Sequence, residues 1–466
     1  VSRTSTLLAT ALTLTLSLTA SAQDAPHAGA APPSRPAAPP AVEFALRDAA
    51  FEPARLRARR AALLALLPEN AVVLVAAGPR GDDTFPFRPR PDFLYLSGRQ
   101  EAGLSLLLAK GRDVLFAPPR DEHHELWNGP RIAPGTPLAA ASGFGEVVAW
   151  GERAAVLEAA LADGAPLFLS GIEVAELGLQ KVPAARSAAG FIARLRQVKD
   201  AAEVALLDRA IGATCAALSE TMRSIEPGHY EYEAQAVIEY LFSRRGAQRP
   251  GFASIVGSGP NSCTLHYQEN RRRMEAGDLV VMDVGAELYG YTADVTRTVP
   301  VSGTFTPRQR EIYTLVLRAQ EAGIAAAKPG VTLRQVDGAA RAVITQAGYG
   351  RFFPHGTSHW LGLDVHDVGA YDRPLEPGMV LTVEPGIYLP DEALGVRIED
   401  DVVITKDGCR LLSGGAPRDP GAIEALMAER GVGNVEVAPV PPPGVAPAPP
   451  PHDVPAPQDG EGRKFF

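Results

Sequence analysis

The 466-residue sequence holds three cysteines, Cys215, Cys263 and Cys409, and none of them stands in a CxxC or Cys/His spacing. That excludes a disulfide scaffold and a thiolate-bound metal, and each cysteine reads as a small apolar residue rather than a catalytic thiol. Runs of five or more like charges are also missing, and a net charge of −9 leaves no basic face of the kind that nucleic acid requires. No apolar stretch reaches the ~20 residues of a membrane-spanning helix. What the sequence does have is 46 % hydrophobic residues over a length too great for one ordinary core, so two or three domains are expected.

The two ends differ in texture from the middle. Arg3, the apolar stretch Leu7 to Leu18 and the small-residue site Ala20-Ser21-Ala22 predict a secretory signal peptide over residues 1–22, hence an exported protein, periplasmic or secreted. Residues 23–43 are an Ala/Pro-rich linker, and the Pro-rich sequence near the end predicts a tail without helix or sheet over residues 431–466.

Residues 44–185 read as a smaller α/β domain: a helix from Pro53 to Leu67, β-runs at 72–76, 93–96, 104–109 and 114–116, and a helical pattern over 152–162. From residue 186 to 430 the pattern is α+β. Asp200-Ala-Ala-Glu203 forms a capping box opening a helix to about Met222. Further helices are expected over 232–245, 308–328 and 333–347, interleaved with strands and hairpins.

Four segments of this second region carry chemistry. In LVVMDVGAELYGYTADVTR, two apolar β-runs flank a turn that contains Gly290. With the turn centred between Leu288 and Tyr289, Asp283 and Asp294 face each other, their Cβ atoms ~5 Å apart. Opposed like charges destabilise a sheet unless cations lie between them. The plainer reading, one Asp in the turn and the other solvated, stays open on this segment alone. In FFPHGTSHWLGLDVHDVG, three of the chain's nine histidines, His355, His359 and His366, fall among Gly, Trp and Leu. That setting suggests a partly buried pocket in which imidazoles ligate metal or move protons. In VLTVEPGIY and GVRIEDDVVI, Glu384 and Glu399 stand inside β-forming runs, where an ionised carboxylate needs a cation or an ion-pair partner such as Arg397.

Charge balance favours metal. Asp283, Asp294, Glu384 and Glu399 together carry −4, which two divalent cations neutralise, with one neutral imidazole completing the set. Hard oxygen donors without thiolate suit manganese, zinc, cobalt or iron rather than copper, and a carboxylate-rich set leans toward manganese or magnesium.

In these four motifs the chain resembles the pita-bread metallopeptidases, the fold shared by methionine aminopeptidase, Xaa-Pro aminopeptidase and prolidase. HGTSHWLGLDVHDVG and VGSGPNSCTLHY, which carries His266, are most similar to the Xaa-Pro aminopeptidase and prolidase branch. So is FRPRPDFLYLSG upstream, in the expected amino-terminal domain. The resemblance implies a pita-bread catalytic domain with Asp283, Asp294, His359, Glu384 and Glu399 as ligands to two divalent metal ions, manganese favoured. It also implies removal of the first residue from peptides with proline in second position, by way of a metal-bridging water. Glu384 is then the proton acceptor, with His266 and His366 bonding the substrate carbonyl. His355 lines the proline pocket, and Tyr388 and Arg397 stand at the substrate or orient the carboxylates. A homodimer or homotetramer is implied as well, in which the region near Asp92 edges a neighbouring active site. Three other readings are open: prolidase, which cleaves only dipeptides; a non-catalytic binding module on the same fold; and a metal-free hydrolase of the creatinase kind. The paired aspartates weigh against the last.

Overall fold

In the computed structural model, residues 47–79, 86–179 and 184–435 are described. The expected signal peptide, the linker and the tail beyond residue 435 lie outside the described residues.

The amino-terminal lobe is built on a six-stranded sheet in the order β4-β3-β2-β1-β5-β6. Its strands are β1 (Val72–Ala76), β2 (Ser105–Ala109), β3 (Arg112–Ala117), β4 (Glu146–Ala149), β5 (Leu167–Ser170) and β6 (Ala185–Ser187). The all-aliphatic β1 is buried along its whole length and pairs antiparallel with β2 and parallel with β5, as suits a strand covered on both faces. The run expected as a strand over 93–96 is instead the short helix Pro91–Ser97. Pro91 at its first turn and Gly98 in the left-handed conformation just past its end are the stop signals that override the apolar run. Complete burial of Phe93, Leu94, Tyr95 and Leu96 explains why that run looked like an interior strand.

The second region opens on helix Ala201–Ser224. The Asp200 side chain accepts the amides of Ala202 and Glu203, while Glu203 returns a bond to the Asp200 amide, so the expected capping box is present. Helices Glu231–Arg244, Pro307–Ala326 and Leu333–Gln346 follow. Strands β7 (Arg249–Pro250), β8 (Ile255–Ser258), β9 (Leu279–Val284), β10 (Ala286–Leu288), β11 (Tyr291–Thr292) and β12 (Val295–Pro300) form two small sheets, β11-β10-β7 and β12-β9-β8. Strands β13 (Val380–Val383), β14 (Gly386–Leu389), β15 (Leu394–Arg397), β16 (Asp400–Ile404) and β17 (Cys409–Leu411) complete it, with β13-β16-β17 in one sheet and β14 paired to β15.

The register of the central hairpin departs from expectation. Its two-residue turn is Tyr289–Gly290, both with positive φ (49° and 89°), the arrangement that matches the right-handed twist of the flanking strands. Asp283 therefore faces Thr296 rather than Asp294. The shift is two residues, and side chains alternate with period two, so both aspartates stay on one face. Gly285 makes the fold-back possible: a Cβ there would lie 1.8 Å from the Ala293 carbonyl oxygen.

Behind this face sits a fully buried ion pair, Arg297 Nη2 to Asp400 Oδ1 at 2.7 Å. Arg297 Nη1 also donates to the Glu399 carbonyl at 2.6 Å, and Gln320 and Ser413 donate to Asp400. At the far end, residues 431–435 pack on helix Ala201–Ser224. Gly433 N donates to Ser224 Oγ and Val432 N to Glu220 Oε1, so residues expected in the tail still belong to the packed body.

Candidate metal centre

A cavity of about 410 Å³ opens between the β9–β12 hairpin, the 355–371 segment and the ends of β13 and β15. Asp283, Asp294, His359, Glu384, Glu399, His266, His355, His366 and Arg397 all line it. Residues from Asp283 to Glu399 are thus gathered by the two hairpins and the loop between them, and His266 joins them from the segment before β9.

The innermost group is Asp294, His359 and Glu399, each buried, with ligand-type atoms all within 4.8 Å of one another. His359 Nδ1 lies 3.0 Å from the Trp360 carbonyl, which can only accept, so Nδ1 is the donor of that bond. Nε2 faces Asp294 Oδ2 at 3.3 Å and Glu384 Oε1 at 3.4 Å. With the carboxyls ionised and the ring unprotonated at Nε2, acceptor meets acceptor, an arrangement that a cation resolves. Oδ1 of Asp283, Oδ1 of Asp294 and Oε1 of Glu399 are buried without a hydrogen-bond partner. Native interiors rarely leave such atoms unsatisfied, and the donor set fits a pair of hard divalent cations.

The titration behaviour follows from the same crowding. Burial, reinforced by Asp283, Asp401 and Glu384, holds the Asp294 carboxyl well above its usual range. Burial, with Asp294, Glu384 and Asp283, does the same to Glu399. Glu384 is pushed from 4.5 up to about 7 by burial, against the pull of His359 and Arg397. In the metal-free protein these folded carboxyls hold protons that the unfolded chain has already released. Stability conferred at low pH is therefore lost as pH rises from about 4.5 through about 7. Divalent cations bind the deprotonated set and reverse this. The rise in melting temperature on adding Mn²⁺ to chelator-treated protein is accordingly expected to be larger at pH 7.5 than at pH 5. Paired melts at the two pH values check it, and an equal or smaller gain at pH 7.5 counts against the site.

Around the carboxylates the fold supplies fixed partners. Thr296 Oγ1 donates to Glu399 Oε2 at 2.7 Å, and Arg397 Nη2 bonds Asp283 Oδ2 at 2.6 Å. Sequence reasoning offered Arg397 as a partner for a glutamate, but its ion pair is with Asp283. Arg397 Nη1 donates to Tyr388 OH at 3.0 Å, and Tyr388 OH lies 2.9 Å from His355 Nε2. Tyr388, expected at the substrate, is 5 % exposed and stands behind the cavity wall. His355 Nδ1 is on the Gly356 carbonyl, so both ring nitrogens are occupied, and burial lowers its pKa to about 4. His366 packs edge-on to His359 with ring centroids 4.3 Å apart, and burial, then His359 and His266, lowers its pKa.

Some residues escaped the sequence reading. Asp401, fully buried, accepts the Asp294 amide at 3.2 Å, and burial raises its pKa well above normal. Its signal was the acidic doublet directly after Glu399 in an otherwise aliphatic strand. Thr296 and the cavity-lining Tyr371 carried no signal that distinguished them. Asp92 is held within its own chain, where Arg196 and Ser170 donate to its two carboxylate oxygens.

Three buried carboxylates, the part-buried Glu384 and an imidazole thus converge on one open cavity, a donor set that fits divalent metal. Residues 205–406 match metallopeptidase family M24, and residues 56–167 match the aminopeptidase P N-terminal domain. The Xaa-Pro aminopeptidase of Escherichia coli (strain K12) is 37 % identical over 428 residues, covering 79 % of this chain and 96 % of its own. The Xaa-Pro dipeptidase of Pyrococcus horikoshii is 41 % identical over 223 residues, covering 47 % of this chain and 63 % of its own. The solved structure of E. coli aminopeptidase P with the inhibitor Pro-Leu superposes with a TM-score of 0.75 at 35 % identity, covering 81 % of this chain and 98 % of that one. The chain belongs to metallopeptidase family M24, with the two-domain, pita-bread architecture of aminopeptidase P.

Proposed function

We propose that this protein is an Xaa-Pro aminopeptidase, releasing the first residue from peptides whose second residue is proline. The single observation that carries the reading is the two-domain match. The E. coli Xaa-Pro aminopeptidase aligns over both lobes and nearly its full length, whereas the dipeptidase aligns over less than half of this chain. A non-catalytic module is disfavoured because all five ligand-type residues are present and converge.

In this proposal Asp283, Asp294, His359, Glu384 and Glu399 hold two divalent cations, with manganese favoured by the carboxylate-rich set. When bound, the cations supply Lewis-acid polarisation of the scissile carbonyl and an acidified water. Glu384 accepts the proton of the attacking water and passes it to the departing proline nitrogen. His266 and His366 face the cavity as donors to the substrate carbonyl, where they stabilise the developing negative charge. His355, with both nitrogens occupied, offers ring carbon rather than a hydrogen bond, which suits an apolar pyrrolidine. Arg397 and Tyr388 hold Asp283 and His355 in place and leave the substrate to others. Export rests on the pattern of residues 1–22, and assembly as a homodimer or homotetramer rests on the family resemblance.

Ala-Pro-Ala, Ala-Ala-Ala and the dipeptide Ala-Pro, incubated with chelator-treated protein resupplied with Mn²⁺, Zn²⁺ or Co²⁺, test the reading. Release of alanine from Ala-Pro-Ala but not from Ala-Ala-Ala is expected. Cleavage confined to Ala-Pro would assign a dipeptidase instead, and no metal-dependent cleavage would overturn the proposal.

A further inference from the structure

The segment that carries His366 is held from outside the metal centre. Asp364 and Asp367 flank the histidine, and both bond one nitrogen, Nη2 of Arg196, at 2.9 Å and 2.5 Å. The other oxygen of Asp367 takes Lys199 Nζ at 2.9 Å. Arg196 Nη1 reaches back to Asp92 Oδ1 at 2.7 Å, in the amino-terminal lobe, where Ser170 Oγ bonds the second oxygen. From the same lobe, Arg88 Nη2 donates to the Leu363 carbonyl at 2.5 Å and Arg88 Nε to Glu287 at 2.7 Å. Arg196, Lys199 and Asp367 are all buried. Burial alone would raise the Asp367 carboxyl, but Lys199 and Arg196 outweigh it and keep it ionised below its normal range.

Among the described residues, no side chain hydrogen-bonds a ring nitrogen of His366. Its aim is set by its backbone and by its edge contact with His359. Two charged anchors, Asp364 two residues before it and Asp367 directly after, fix that backbone.

We propose that Arg196, clamped on Asp92, is a positioning residue for His366, so that the amino-terminal lobe is a working part of the active site. The proposal rests on the reading of His366 as a donor to the substrate. Misplacing such a donor by about 1 Å is worth roughly 10²-fold in rate.

A double-mutant cycle together with hydrogen exchange tests it. Arg196→Met in the full-length, metal-loaded protein is expected to lower kcat on Ala-Pro-Ala by about 10²-fold. In a His366→Ala background, the same change is expected to cost less than about threefold, since coupled groups are non-additive. Amides of residues 361–369 are expected to exchange faster in Arg196→Met while those of β9 and β12 do not. Equal losses in both backgrounds, or unchanged exchange over 361–369, would overturn the proposal. Asp92→Asn, which removes one charge and keeps the side-chain volume, serves the same cycle if Arg196→Met does not fold. Exchange needs no turnover, so it decides whether Arg196 holds the loop even where a wild-type protein inert on Xaa-Pro peptides has overturned the functional reading.

Discussion

Asp294→Asn is expected to abolish Xaa-Pro cleavage while making the metal-free protein more stable. The substitution preserves volume and removes one charge from the centre of the carboxylate group. Asp294 is 5 % exposed, one of its oxygens has no partner, and the other faces His359 Nε2 at 3.3 Å. Metal chemistry supplies several kcal/mol of transition-state stabilisation, and each 1.36 kcal/mol is a factor of ten, so a loss of at least about 10³-fold in kcat is expected. Elemental analysis is expected to find less bound metal. In chelator at pH 7.5 the sign reverses: burial and the surrounding carboxylates disfavour the ionised form of Asp294, and an amide does not ionise. A melting temperature about 2 °C or more above that of metal-free wild type is expected. Retention of activity within tenfold, or a destabilised metal-free variant, would remove Asp294 from the proposed ligand set.

Arg297→Ala is expected to be the most destabilising single change outside the cavity. Arg297 and Asp400 are both fully buried, and the guanidinium also holds the carbonyls of Glu399, Ala416 and Pro417. Removing one partner of a buried pair costs about 3–5 kcal/mol, and here it leaves Asp400 with only the part-exposed Arg418 as a cationic partner. That corresponds to a fall in melting temperature of roughly 3–6 °C for a chain of this size. The double change Arg297→Met with Asp400→Leu is expected to recover much of the loss, because replacing a whole buried pair by packed apolar groups is often close to neutral. Melts of wild type and the two variants with metal bound check this. A loss below about 1 kcal/mol for Arg297→Ala would show that water or Arg418, whose Nη1 lies 3.1 Å from Asp400 Oδ2, takes over the charge.

The five ligand-type residues could be read from sequence because each interrupts a β-forming or Gly-rich run with a group that is expensive to bury unpaired. The long helices were legible for a related reason. Asp200 with Glu203, and Thr306 with Gln309, are local capping pairs, and local pairs are written in consecutive residues. The helix Pro91–Ser97 was misread because complete burial erases the periodicity that separates helix from strand, leaving Pro91 and Gly98 as the signals.

The sequence by itself determined the chemical inventory, the types of the long helices and most strands, and the charge problem that divalent cations would solve. Tertiary structure alone decided the pairing of Asp283 with Thr296, the capture of Asp283 by Arg397 and the convergence of Asp92, Arg196, Asp364 and Asp367. The reason is physical. Hairpin register depends on which two residues take positive φ, and ion pairs between residues more than a hundred positions apart depend on how distant elements pack, within the catalytic region and, for Asp92, between the lobes. Neither leaves a periodic trace in the chain.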